Sequence, residues 1–149
     1  MSGLKIPLEE LAKVHQMMNK IPFMSHLTQS EIMELAYHIA HRHFSKGETI
    51  GKQGDHGRKF YIISKGQVGV FREGFFSRKK VDDLTEGDFF GEIELMYSVP
   101  HPTSFIAEQA GEMLTLTMEA FRSVLLENER IASIIRQTAE LRRERATAS

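Results

Sequence analysis

The sequence predicts an α+β fold: a β-roll or jelly roll of short strands flanked by helices. Three observations predict it. Helical periodicity precedes residue 40 and returns after Thr117, while the stretch between reads as short alternating runs. Glycine-bearing turns punctuate that stretch, at Lys46-Gly47-Glu48, Gly54-Asp55-His56-Gly57, Lys65-Gly66-Gln67, Glu86-Gly87-Asp88 and Ala110-Gly111-Glu112. Leu114, Leu116 and Met118 alternate with Thr115 and Thr117, the period of a half-buried strand. Many short, evenly spaced strands suggest a barrel or jelly roll.

In chain order, the first helix is expected over about Leu8 to Asn19, with Leu8, Leu11, Val14, Met17 and Met18 near helical spacing; Ile21-Pro22-Phe23 ends it. Thr28 and Glu31 form a capping-box pattern for a second helix, with Leu27 and Ile32 placed as a hydrophobic staple. Its apolar stripe is Ile32, Leu35, Ala36 and Ile39. Strands are expected at Phe60 to Ile63, Val68 to Phe71, Val81 to Leu84, Phe105 to Ala107 and Leu114 to Met118. Thr117 is placed to cap a helix through Phe121, Val124 and Leu125, with Glu119 favouring its dipole. A final helix starts near Glu129, with the stripe Ile131, Ile134, Ile135 and Leu141, Ala139 nearby, and Arg142, Arg143 and Arg145 at its end.

At 149 residues the chain suits one domain with a sizeable core, divided into an N-terminal helical extension over residues 1–20 and a main domain over residues 21–149. A net charge of −1 gives no whole-chain signal for nucleic acid. The absence of cysteine excludes disulfides, thiolate chemistry and zinc knuckles. No signal-peptide pattern and no apolar run of membrane-span length occur, so the expected location is cytoplasmic, with no membrane partner.

The most specific segment runs Phe90-Gly91-Glu92-Ile93-Glu94-Leu95-Met96-Tyr97-Ser98-Val99-Pro100-His101-Pro102-Thr103-Ser104. It resembles the phosphate-binding cassette of cyclic nucleotide-binding domains. The pieces before it resemble that family in order: Ile21-Pro22-Phe23 through Ile32, Phe44 to Ile50, Gly54 to Ile63, Ser64 to Val70, and Leu84 to Glu92. The resemblance implies a β-roll with a short cassette helix and two C-terminal helices. It also implies a possible ligand, cAMP or cGMP, and a regulatory rather than catalytic role, with no cofactor. Under it Gly91 lets the backbone come close, Glu92 accepts from the ribose 2′-hydroxyl, and Ile93 and Glu94 donate backbone N–H bonds to phosphate. His101, Pro102, Thr103 and Ser104 complete the cassette. Val70, Val81 and Leu84 pack on the base, and a residue of the final helix serves as a lid.

Two positions depart from the family pattern. His101 stands where the family has arginine, and Glu94 where it has a small residue. The interval from Val81 to Phe121 holds nine acids and no lysine or arginine. Removing one partner of a buried charge pair costs about 3–5 kcal/mol, or roughly two to four decades of affinity. Arg58, Lys59 and Arg72 are the candidate replacements from elsewhere. The leading expectation is a regulatory module with weak or no cyclic nucleotide binding that signals through protein contacts. The alternative is a genuine cAMP or cGMP sensor whose phosphate is held by His101, backbone amides or a distant base. Binding through His101 should then strengthen as pH falls from about 8 to 6, because only the protonated ring is a cation.

The remaining features receive plainer readings. His38, His41 and His43 cluster near the end of the second helix, but a metal site needs a defined third or fourth ligand, His38 shares a face with Glu34 and His43 enters a strand, so no metal site is expected. Ser104 and His101 are close in sequence, but proximity in sequence is not triad geometry, and no enzyme activity is expected. Arg78-Lys79-Lys80 reads as a solvated hairpin tip, and Phe75-Phe76 as tucked onto the roll. The Ile131 to Leu141 stripe packs on its own roll or pairs with a second copy. No recognition helix follows the roll, so a DNA-binding role is disfavoured.

Overall fold

The computed structural model describes residues 8–147. Helix α1 (Leu8–Asn19) leads through a 3-10 turn at Pro22–His26 to α2 (Gln29–His38). Six strands follow: β1 (Ile39–Phe44), β2 (Thr49–Gly51), β3 (Lys59–Glu73), β4 (Arg78–Leu84), β5 (Phe89–Phe90) and β6 (Ser104–Thr117). Helix α3 (Glu92–Tyr97) interrupts them before β6. The chain ends in α4 (Met118–Ala120), a π turn at Phe121–Leu125 and α5 (Glu129–Thr147). The strand order is β1-β6-β3-β4, with β2 also on β6 and β5 on β3, and every pairing is antiparallel.

The expected α+β roll is present, with the predicted capping box at α2. The Thr28 hydroxyl accepts from the Glu31 N–H at 3.1 Å, and the Glu31 carboxylate accepts from the Thr28 N–H at 2.9 Å. Thr117 caps α4 through the Ala120 N–H at 3.2 Å. Of the first helix's stripe, Val14 and Met18 are buried in the core; the side chains of Leu8 and Leu11 lie outside the described residues.

Two of the expected turns are not turns. β3 and β6 run straight through Lys65-Gly66-Gln67 and Ala110-Gly111-Glu112, which face each other across a register shift. The two glycines are there for close backbone approach: a Cβ on Gly111 would lie 1.9 Å from the Lys65 carbonyl oxygen. Four of the five expected short strands merge into two long ones, β3 and β6, because a paired bulge looks like a pair of turns in sequence.

The hairpin tip also departs from expectation. The Gly74 N–H donates to the Ser77 carbonyl at 2.8 Å, closing a tight β3–β4 turn. Phe75 and Phe76 occupy its two central positions, where no strand neighbour can cover them, and both are fully exposed.

Two buried clusters form. One lies between the sheet and the helices and includes Val14, Met18, Leu35, Phe60, Ile62, Leu114, Leu116, Phe121, Ile131 and Ile135. The other fills the roll with Phe44, Ile63, Val68, Val70, Leu84, Phe90, Phe105, Ala107 and Met113. Phe90 stacks between Tyr61 (4.7 Å) and Phe105 (4.6 Å), which fixes the strand that leads into α3.

Candidate functional site

Gly91 ends β5 with a left-handed φ of 93° and begins α3; a Cβ there would lie 2.6 Å from the Lys59 carbonyl oxygen. The tight approach drops Glu92 into the protein. Glu92 is 1 % exposed, and its carboxylate accepts from the Arg142 guanidinium of α5 at 2.7 Å. Burial raises the Glu92 pKa above its ordinary value, and the Arg142 charge and hydrogen bond draw it part of the way back. Arg142 also lies over the Phe89 ring, 5.1 Å from its centroid. Next to it, Arg143 covers Tyr97 at 4.2 Å, tying α5 to α3.

A cavity of ≈ 20 Å³ lies beneath α5, lined by Val70, Val81, Asp82, Leu84, Glu92, Thr103, Phe105, Arg142 and Arg145. That is room for about one water molecule. Arg145 pairs with Asp82 at 3.2 Å. The cavity is therefore bordered by the chain's own C-terminal helix, through Arg142 on Glu92 and the more exposed Arg145 on Asp82.

Of the residues expected at the site, Glu92, Val70, Val81, Leu84 and Thr103 line this cavity. Gly91 and Ile93 shape the start of α3 without lining it. Ser104 is turned to other work, accepting from the Gln53 N–H at 2.9 Å and donating to Glu73 at 3.1 Å. Pro102 is half-buried. Arg58 and Lys59 line a separate, open depression together with His101, and Arg72 reaches the Ala146 carbonyl at 3.4 Å.

Glu94 and His101 are brought together, but with each other. The His101 side chain is 7 % exposed, and its Nδ1 lies 2.7 Å from the carboxylate of Glu94, whose side chain is 1 % exposed. The ring fits because Gly51 and Gly57 leave room: Cβ atoms there would lie 3.0 Å from His101 Nε2 and 2.8 Å from its Cε1. The loop around Gly54 is laced to this residue by the Gly54 N–H to the His101 carbonyl and the His101 N–H to the Asp55 carbonyl, each 2.9 Å. His101 is thus a buried residue and Glu94 faces inward, since the acid gives the imidazole its partner.

Sequence reasoning missed Arg142 and Arg145 as site residues. It followed the α5 stripe to Leu141, which is 57 % exposed. The buried face instead runs Ile131, Ile135, Ala139, Ala146, at helical steps that place Arg142 between the two alanines. Two small residues flanking an arginine on a buried face were the available signal.

Residues 41–128 match the cyclic nucleotide-binding domain family. The chain belongs to the cyclic nucleotide-binding domain family. This domain is 30 % identical over 108 residues to a cAMP-dependent protein kinase regulatory subunit of Hypocrea atroviridis, covering 72 % of this chain and 22 % of the relative. The chain spans between 19 % and 31 % of the length of this and similar curated relatives. Among solved structures, the regulatory subunit of a cAMP-independent protein kinase A from Trypanosoma brucei superposes with a TM-score of 0.81 at 24 % identity, over 89 % of this chain and 47 % of that one. A form of it with Glu→Ala, Thr→Arg and Val→Ala substitutions is bound to cAMP in its A site, with a TM-score of 0.80 at 24 % identity over 89 % of this chain and 48 % of that one. The Trypanosoma cruzi counterpart, bound to guanosine, has a TM-score of 0.77 at 26 % identity over 89 % of this chain and 47 % of that one. Among the described residues, no helix is long and apolar enough to cross a membrane.

Proposed function

We propose that this domain is a non-catalytic regulatory module whose pocket does not serve a cyclic phosphate, and that it acts through protein contacts made by its helices. One observation carries the reading: every charged group of the cassette already has a partner within the chain. Glu92 is held by Arg142, and His101 by Glu94. A cyclic phosphate would meet the Glu94 carboxylate where a free cation is needed, and an uncompensated buried charge costs about 3–5 kcal/mol. The Trypanosoma brucei form supports this. Its substituted glutamate and threonine stand seven residues apart with the valine next, as Glu94, His101 and Pro102 do here, and the form carrying Ala, Arg and Ala is the one bound to cAMP.

The test is calorimetric titration with cAMP and cGMP at pH 6.0 and 7.5. It uses the native chain and the Glu94→Ala, His101→Arg, Pro102→Ala triple variant. The native chain should give no heat up to millimolar ligand, and the variant should gain at least about a hundredfold, the lower end of the affinity a buried pair supplies. Micromolar binding by the native chain at pH 7.5 would refute the reading. Binding only at pH 6.0 would instead make His101 the phosphate's cation and the domain a cyclic nucleotide sensor.

A second reading rests on Glu92. Its carboxylate remains available to a ribose hydroxyl once Arg142 moves, and a ligand without phosphate avoids the repulsion from Glu94. The guanosine bound to the Trypanosoma cruzi protein is such a ligand. Guanosine in the same titration decides it, with Glu92→Gln as the variant that should abolish any heat seen.

A further inference from the structure

Outside the cavity under α5, the sheet brings three ligand-type side chains together on its helix-facing side. His41 and His43 lie two apart on β1, so they point to one face. In the β1–β6 register His43 pairs with Glu112, and His41 pairs with the core residue Leu114. The row that is apolar at Ile39, Leu114 and Leu116 thus becomes imidazole, imidazole, carboxylate where it leaves the core. Glu112 Oε1 lies 3.7 Å from His41 Nε2 and 3.6 Å from His43 Nδ1. The donor atoms all fall within 4.8 Å of one another.

A second observation points to a ligand. The His41 side chain is 7 % exposed, yet its Nε2 has no hydrogen-bond partner. A buried ring nitrogen without a partner is costly, and this one is aimed at the Glu112 carboxylate from just beyond bonding range. An ion bound tetrahedrally at about 2.1 Å sets its ligands about 3.4 Å apart. The two observed nitrogen-to-oxygen separations need close by only a few tenths of an ångström to meet that.

We infer that His41 Nε2, His43 Nδ1 and Glu112 bind a divalent transition ion of the Zn²⁺ type. Two imidazoles and one carboxylate suit zinc and its neighbours rather than calcium or magnesium, which take oxygen ligands. Three protein ligands leave one position for water, with His43 at the solvent side (73 % side-chain exposure) and His41 at the core side. Sequence spacing does not reveal the site, because Glu112 arrives from across the sheet rather than from the helix that carries His38. The same carboxylate is approached by the Lys13 ammonium of α1 at 3.9 Å, so an ion and Lys13 compete for it. Filling the site releases Lys13.

The probe is Co²⁺ followed by Zn²⁺, added to chelator-stripped protein, with absorption and calorimetry as readouts. One equivalent of Co²⁺ should bind with the intense visible bands of four-coordination, and Zn²⁺ should displace it. His41→Ala, His43→Ala and Glu112→Gln should each weaken binding by at least about tenfold, the least that losing even an outer-sphere partner brings. His38→Ala, on the exposed face of α2, should change nothing. If His41→Ala does not fold, His43→Ala and Glu112→Gln decide, since neither vacates the core. Pale six-coordinate Co²⁺, sub-stoichiometric binding, or an affinity unchanged in His43→Ala and Glu112→Gln would overturn the assignment.

Discussion

Glu92 and Arg142 are fifty residues apart in the chain and 2.7 Å apart in the fold, and their pairing shuts the cavity of the roll. The carboxylate is almost wholly buried, whereas the Arg142 side chain keeps 18 % exposure. The arginine can leave for solvent, and the glutamate cannot.

Arg142→Ala should therefore destabilise the domain in a pH-dependent way. Burial holds the Glu92 pKa above its ordinary 4.5. Such a group contributes stability that is full below the unfolded value and is lost as pH rises through the folded one. Arg142 offsets part of that loss, so removing it should cost about 3–5 kcal/mol at pH 7.5. The cost should shrink toward pH 4.5, where Glu92 is increasingly neutral and needs no cation. Urea unfolding of both proteins across this range checks it; a cost independent of pH would show that the pair is not what matters.

The Glu94 and His101 pair should be energetically coupled. His101→Ala strands a carboxylate that is nearly inaccessible to water, at a cost of about 3–5 kcal/mol. Adding Glu94→Ala to that variant should recover part of the loss, a coupling of about 0.5–3 kcal/mol in a double-mutant cycle. Strictly additive effects would mean that the two groups act apart.

Gly111→Ala should be among the worst small substitutions in the protein. Its new methyl would sit 1.9 Å from the Lys65 carbonyl oxygen, on backbone rather than on a yielding side chain. A loss of about 2–3 kcal/mol is expected, in the upper part of the usual range, measurable as a lowered midpoint in thermal or urea unfolding.

Phe75→Ser with Phe76→Ser should leave stability within about 0.5 kcal/mol of the parent, because neither ring packs on the domain. Retention on a hydrophobic column should fall. A clear loss of stability would show that the tip is covered in solution.

The roll, the capping box, the cassette helix and the apolar wall of the cavity were legible because each depends on neighbours in sequence: a Thr-to-Glu spacing, an alternation, a Gly before an acid. The merging of strands at Gly66 and Gly111 was not, because a glycine serving close approach across a sheet reads the same as one serving a turn. The pairings of Glu94 with His101 and Glu92 with Arg142 also lay out of reach. A carboxylate read alone is a repulsive charge; the partner that neutralises it is set by topology. His41 and His43 show the same limit, since their third companion comes from the opposite strand.

The guanidinium of Arg142 makes the domain its own tethered competitor. Any small molecule reaching for Glu92 must wait for that side chain to leave, so its measured affinity is its contact affinity multiplied by the open fraction. A guanidinium displaced one time in about a hundred would make every such ligand about a hundredfold weaker than its contacts allow. Leu141 and the other outward residues of α5 point away from the cavity. A protein gripping that outer side would set the affinity of the interior without touching it.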